Sequence, residues 1–177
     1  EKRYYAGDLH AHSLESTDAD PTIQQMIIFA KSIGLDFLEF SDHNTITQLD
    51  FFNNYQRNEP TFLLLPGIEY TTYAGHANAI GATKWVDHKI GQPGVTIQGA
   101  MDSILNQGAL FSINHPLLDL GTLCIGCAWK HEVDPAKITA VEIGTGAGTR
   151  IFLNSALDYW EKFTAAGYHV AAVGGSD

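Results

Sequence analysis

Residues 4–44 read YYAGDLHAHSLESTDADPTIQQMIIFAKSIGLDFLEFSDHN, and their pattern decides the fold class. Tyr4 to Leu9 is short and partly apolar, as a strand is. Pro21 to Ile33 then predicts a helix, with Asp20 as its cap, Pro21 in the first position and Gly34 beyond its end. Its apolar residues Ile23, Met26, Ile27, Ala30 and Ile33 fall three and four apart, on one helical face. Leu35 to Phe40 predicts a second strand, and a second helix is expected from Asn44 or Thr45 to about Asn58. The rest of the chain repeats this alternation. Strands are expected at Phe62 to Tyr70, interrupted by Pro66-Gly67, at Leu110 to Ile113, at Ala140 to Ile143 and at His169 to Val173. Helices are expected at Thr96 to Asn106 and Arg150 to Ala166, with a hairpin at His76 to Gly81. Strand–helix alternation argues for a parallel sheet with right-handed crossovers, open or closed into a barrel. The irregular segment from Leu117 to Pro135 exceeds an ordinary connection and is expected to be a flap or lid.

Size and composition narrow the function. The 177 residues suit one domain with a substantial core. Hydrophobic residues make up 45%, too many for a disordered chain. Ten Lys plus Arg against twenty Asp plus Glu give a net charge of -10. That balance argues against a nucleic-acid partner, because affinity for a phosphate backbone comes from clustered cations. No apolar run approaches the roughly 20 residues that span a bilayer, so no membrane partner is expected. The chain starts at Glu1 without Met and carries one Cys pair, Cys124-Ile-Gly-Cys127; together these favour an exported protein. The Cys pair itself is open between a disulfide, a reduced pair and half of a zinc site.

The polar residues gather at strand ends. Asp8, His10 and His12 follow the first predicted strand, and Asp42 and His43 the second; Glu69, His115 and Asp177 end later ones. In parallel α/β folds that edge carries the active site. His10 and His12, at i and i+2 of an extended segment, face one side and can reach one ion. Asp8 is expected to hold the far ring nitrogen of a neighbouring imidazole. A carboxylate at Glu69, in an apolar context, needs a partner or an ion. Pro116 pins the direction of His115, whereas His88, His131 and His169 look like bystanders. Serine catalysis lacks a G-x-S-x-G elbow, and Gly144-Thr145-Gly146-Ala147-Gly148 lacks the Lys-Ser/Thr ending of a Walker loop.

Taken in order, Asp8-Leu9-His10-Ala11-His12-Ser13, Ser41-Asp42-His43-Asn44, Pro66-Gly67-Ile68-Glu69, Gly75-His76, Asn114-His115-Pro116 and Gly175-Ser176-Asp177 resemble the motifs of the PHP (polymerase and histidinol phosphatase) superfamily. The segment after His115, with Ala140-Val141-Glu142-Ile143, looks most like the branch that includes carbaryl esterase. The resemblance implies an α/β fold, a distorted (β/α)7 TIM-like barrel, formed by a single domain over 1–177. It also implies two or three divalent ions of zinc, manganese or iron. His10, His12, Glu69 and Asp177 would hold the first; Glu69, His76 and His115 the second; Asp18 and His43 a third. Asp8, Asp42 and His43 would serve catalysis, and Arg150 and Lys130 are candidate substrate contacts. The family's last motif continues as Asp-x-His, whereas this sequence ends at Asp177, so it is expected to cover part of the natural protein, with the seventh strand beyond it. The implied activity is a phosphoesterase in which bound ions activate water against a small phosphomonoester or phosphodiester. The alternatives are a carboxylic ester or carbamate hydrolase, and a non-catalytic metal-binding or structural module.

Overall fold

The structure is a computed structural model that describes residues 3–124, 126–146 and 150–177, the side chains of 150–155 excepted. In chain order the elements are β1 (Gly7–Asp8), α1 (Ile23–Ser32), β2 (Phe37–Phe40), α2 (Leu49–Asn58), β3 (Leu63–Pro66), β4 (Glu69–Thr72) and β5 (Gly75–Ile80). They continue with α3 (Ile97–Leu105), β6 (Leu110–Ile113), β7 (Ala140–Gly144), α4 (Arg150–Ala165) and β8 (Ala171–Gly174). Two short 3-10 turns, Gly121–Leu123 and Pro135–Lys137, lie in the segment between β6 and β7.

Two sheets form, and this differs from the expected closed barrel. The first is parallel in the order β1-β2-β3. The second runs β4-β5-β6-β7-β8, antiparallel at β4–β5 and β5–β6 and parallel from β6 to β8. Pro66-Gly67 is the physical cause of the division. Pro lacks the ladder donor, and the predicted strand breaks there into β3 and β4, which belong to different sheets. Gly67 also has no room for a side chain, since an added Cβ would strike the Glu39 carboxylate. At this seam Glu69 N donates to Ser41 O (3.0 Å) and Asn44 N to Glu69 O (3.0 Å), with a parallel bridge between His43 and Glu69. At the other seam the carbonyl of His10 accepts N–H groups from Ser176 (3.1 Å) and Asp177 (2.8 Å). Isolated backbone bonds, and not a regular ladder, join the sheets at both seams, and both lie beside the His-rich motifs.

Each sheet has its own core. Ile23, Met26, Ile27 and Ala30 of α1 bury against Leu38, Phe40 and Leu64. Ala100, Met101 and Ile104 of α3 bury against Phe111, Ile113 and Val141. Each fully buried Ile, Leu, Val, Met or Phe among them contributes about 1.5–3 kcal/mol. Helix α1 starts later than Asp20-Pro21 suggested. Thr22 and Gln25 form a reciprocal capping box, Gln25 N donating to Thr22 Oγ1 (3.3 Å) and Thr22 N to Gln25 Oε1 (2.9 Å). Helix α2 also starts late. Residues before it turn so that the buried Gln48 amide can donate to Gly67 O (2.8 Å) and Phe40 O (3.3 Å).

Candidate metal centre

The centre is organised around Glu69. It opens β4 directly after the Pro66-Gly67 break, and its side chain is fully buried. Its Oε1 lies 3.3 Å from His10 Nε2, 3.2 Å from His76 Nδ1 and 3.2 Å from His115 Nε2, and accepts from Asn114 Nδ2 at 3.0 Å. Its Oε2 lies 2.7 Å from His43 Nδ1 and 3.5 Å from His12 Nε2, yet no aligned hydrogen bond reaches it. The His residues come from four places in the fold. His10 and His12 follow β1, His43 follows β2, His76 lies in β5, and His115 follows β6.

The spacing of the donors tests whether they fit an ion. His10 Nε2 and His12 Nε2 are 3.2 Å apart, and Asp177 Oδ1 lies 3.3 Å from the first and 3.2 Å from the second. Tetrahedral bonds of ~2.0–2.1 Å place ligand atoms about 3.3 Å apart. His10, His12, Glu69 and Asp177 therefore already have the edge lengths of a ligand cage. Buried Glu69 Oε2, His76 Nε2 and His115 Nδ1 also lack hydrogen-bond partners. Such atoms are rare in native interiors and call for an ion, water or ligand.

Charge tells the same story. Burial drives the Glu69 carboxyl upward, but His10, His115 and His43 outweigh it and hold its pKa well below the usual range. Burial lowers the His10 imidazole, and Glu69 and Glu142 reverse that and raise it well above its ordinary value. His43, also pushed down by burial, is raised to about 9 by Glu69 and Asp18. His115 is raised against burial by Glu69 and Glu142. Burial would raise Asp177, yet His12 and His10 bring it below the ordinary carboxylate range. The pocket thus concentrates carboxylate charge that protons or metal ions can balance.

The expected ligands His10, His12, Glu69, His76, His115 and Asp177 all meet here. Asp18 and His43 form a third group with His12, Asp18 Oδ2 standing 2.9 Å from His43 Nε2. This pair is at the solvent edge, with side chains 53% and 25% exposed. The His43 ring is also fixed from behind: its Nδ1 bonds Thr71 Oγ1 (2.6 Å), which donates to Glu69 O (3.1 Å).

Asp8 departs from its expected role. Asp8 does not reach an imidazole ring. Its Oδ1 accepts the backbone N–H groups of His10 (3.1 Å) and Ser176 (3.0 Å), because β1 turns immediately after it. The ring is held instead by Glu142 on β7, whose Oε1 lies 3.1 Å from His10 Nδ1 while its Oε2 accepts from His115 N (2.9 Å). That contact helps His115 keep a φ of 25°, a left-handed conformation that costs a non-glycine residue about 1–3 kcal/mol. Asp42 secures the 12–16 turn by accepting from Ser13 N (2.7 Å) and Ser13 Oγ. A carboxylate inside the apolar Ala140–Gly144 strand was the available signal for Glu142.

Of the candidate substrate contacts, the Arg150 side chain lies outside the described residues. Lys130 is exposed, and its backbone N–H bonds Ala74 O at 2.7 Å. A cavity of about 570 Å³ beyond Thr71 presents Lys89, His88 and His131 instead. In that wall His131 Nε2 bonds Thr72 Oγ1 at 2.7 Å. A second cavity of about 520 Å³ borders His12, Asp18 and Asp177 and is lined on its far side by Met26, Phe29 and Ile33.

No family model matches the chain, and no curated protein does. Solved structures do. A protein provisionally named a metal-dependent phosphoesterase, from Bifidobacterium adolescentis, superposes with a TM-score of 0.63 at 12% identity, over 100% of this chain and 88% of that one. An amidohydrolase from Chromobacterium violaceum, with bound sulfate and no metal, superposes with a TM-score of 0.60 at 13% identity, over 96% and 87%. At such identities the likeness is one of fold.

Proposed function

We propose that the chain is a metal-dependent hydrolase of the PHP type that cleaves a small phosphomonoester or phosphodiester. One observation carries this reading: imidazoles from four separate places in the fold converge, with Asp177, on the buried carboxylate of Glu69 at ligand-cage spacing. The names of the two structural relatives agree with hydrolysis at such a centre.

His10, His12, Glu69 and Asp177 would hold one divalent ion, Glu69 with His76 and His115 a second, and Asp18 with His43 a third. Bound zinc, manganese or iron would supply Lewis acidity toward the substrate and lower the pKa of water. The chain supplies the rest. Glu142 accepts the Nδ1 proton of His10, which turns the Nε2 lone pair into the cage. Asp8 and Asp42 fix the backbone on either side of His10 and His12. Lys89 lines the neighbouring cavity with a cation suited to a phosphate.

A carboxylic ester or carbamate substrate is the second reading, favoured by the apolar wall of Met26, Phe29 and Ile33 beside His12 and Asp177. Turnover of p-nitrophenyl phosphate against p-nitrophenyl acetate by manganese- and zinc-loaded protein separates the two. Phosphate cleavage that vanishes in Glu69→Gln is the expected result. Acetate cleavage alone would establish the second reading, and a folded, metal-loaded protein inert to both would indicate a binding module.

A further inference from the structure

Cys127 stands apart from the ligands named so far. It is 1% exposed, and its Sγ lies with a ring nitrogen of His76 and one of His115 in a group whose atoms are all within 4.8 Å of one another. The long segment after His115 brings it there by folding back on the β4–β5 turn. Trp129 N donates to Pro116 O (2.8 Å) and Lys130 N to Ala74 O (2.7 Å). The packing is close. A Cβ on Gly75 would stand 2.6 Å from the Trp129 ring, and one on Gly126 would stand 2.6 Å from the Tyr73 carbonyl carbon.

A second observation points the same way. His76 and His115 each direct one nitrogen at Glu69 Oε1, at 3.2 Å, and each keeps its other nitrogen buried without a partner. Both residues are 4% exposed, so water does not readily satisfy them. The nearby sulfur is a soft donor, and thiolate with imidazole is a ligand set that suits zinc and cobalt. Cys127 is here bonded to Cys124, with Cα atoms 5.7 Å apart, within the ordinary disulfide span. Cys124 is the more exposed of the two, so an oxidant or reductant in solution meets its sulfur first.

We propose that Cys127 is a redox-controlled sulfur ligand of the metal centre. With the pair reduced, Cys127 gives its proton to solvent and its Sγ joins the otherwise unpartnered nitrogens of His76 and His115 on one ion, in place of the second ion held with Glu69; the two rings then face Glu69 Oε1 with their N–H groups. With the pair oxidised, the sulfur is withdrawn into the Cys124–Cys127 bond. The oxidant is a small-molecule disulfide such as oxidised glutathione. Cys124 thiolate attacks one of its sulfurs and expels one thiol; Cys127 then attacks the Cys124 sulfur and expels the second. The two cysteines lose two protons and two electrons, and the oxidant leaves as two thiols. This inference rests on the reading of the cluster as a metal centre.

Cobalt(II) tests it without recourse to activity. The reduced chain loaded with cobalt should show both d–d absorption and a thiolate-to-cobalt charge-transfer band. Oxidised glutathione should abolish the charge-transfer band, and a phosphine reductant should restore it. Cys127→Ser should lack the band while retaining d–d absorption, whereas Cys124→Ser should keep the band and resist the oxidant. Cobalt bound without a charge-transfer band in the reduced wild type, or an unchanged band in Cys127→Ser, would overturn the sulfur ligand and leave the metal centre standing. No cobalt uptake would overturn the metal centre, and the sulfur ligand with it. The oxidation–reduction cycle of the wild type decides the matter even where a variant fails to fold.

Discussion

Replacing Gly175 with Ala adds a single methyl group directly beneath His10. The new Cβ would stand 2.9 Å from His10 N and 3.0 Å from His10 Cα, and closer still to His10 Cβ. Ordinary van der Waals contact begins at 3.4 Å, so the two segments must part by at least about 0.5 Å at the nitrogen and by more at Cβ. Neither partner is a flexible side-chain tip. The carbonyl of His10 is bonded by Ser176 and Asp177, so the displacement is passed to both His10 and Asp177 of one cage. A site must be held to within about 0.5 Å to work, and a misplacement of about 1 Å costs on the order of 100-fold in rate. We therefore expect kcat/KM for p-nitrophenyl phosphate to fall about 100-fold, metal content to fall with it, and stability to drop by about 1–3 kcal/mol from overpacking. Gly144→Ala is the control, since a Cβ at that neighbouring strand end meets open space. The assay is turnover with metal content measured on the same preparation, and urea unfolding for stability. A Gly175→Ala protein with wild-type turnover and metal content would refute the claim that this contact sets the cage.

Three further expectations concern the charges around the cage. Glu142→Gln keeps the shape of the side chain but removes the carboxylate behind His10 Nδ1; metal affinity should weaken about 10–100-fold by equilibrium dialysis, and an unchanged affinity would remove Glu142 from the account. In metal-free protein, His43 titrates at about 9 instead of 6.5, a raised value, so its stabilisation is complete below pH 6.5 and is lost as pH rises through about 9. That difference corresponds to at most about 3 kcal/mol, so the urea midpoint should fall between pH 6.5 and 10. Apparent metal affinity should rise over the same window as protons leave the imidazoles. A midpoint that climbs across it would contradict the assignment. His88 and His131 are depressed by burial, and they affect stability in the opposite sense, below pH 6.5.

The parts of this site that local spacing encodes were legible in the sequence. His10 and His12 share a face because i and i+2 of an extended segment do, and Pro116 ends β6 just past His115. The order of strands and helices was likewise readable from apolar periodicity and Gly/Pro punctuation. What could not be read depends on pairing between distant segments. Glu142 meets His10 across 132 positions, and Cys127 reaches His76 because the segment after His115 folds back on a hairpin. The split into two sheets turned on whether Pro66-Gly67 kinks one strand or separates two, and packing around Glu39 and Gln48 decides that. Proximity in sequence points Asp8 to a ring, but the turn after β1 gives it backbone donors instead.

Elemental analysis of metal-loaded, desalted protein, wild type beside Glu69→Gln, tests the central claim most directly. Glu69 touches both the His10–His12–Asp177 group and the His76–His115 pair. The wild type should hold two or more equivalents of zinc or manganese per chain, and Glu69→Gln should lose most of them while remaining folded. A wild type that holds none, or a variant that holds as much as the wild type, would contradict a metal centre built on Glu69.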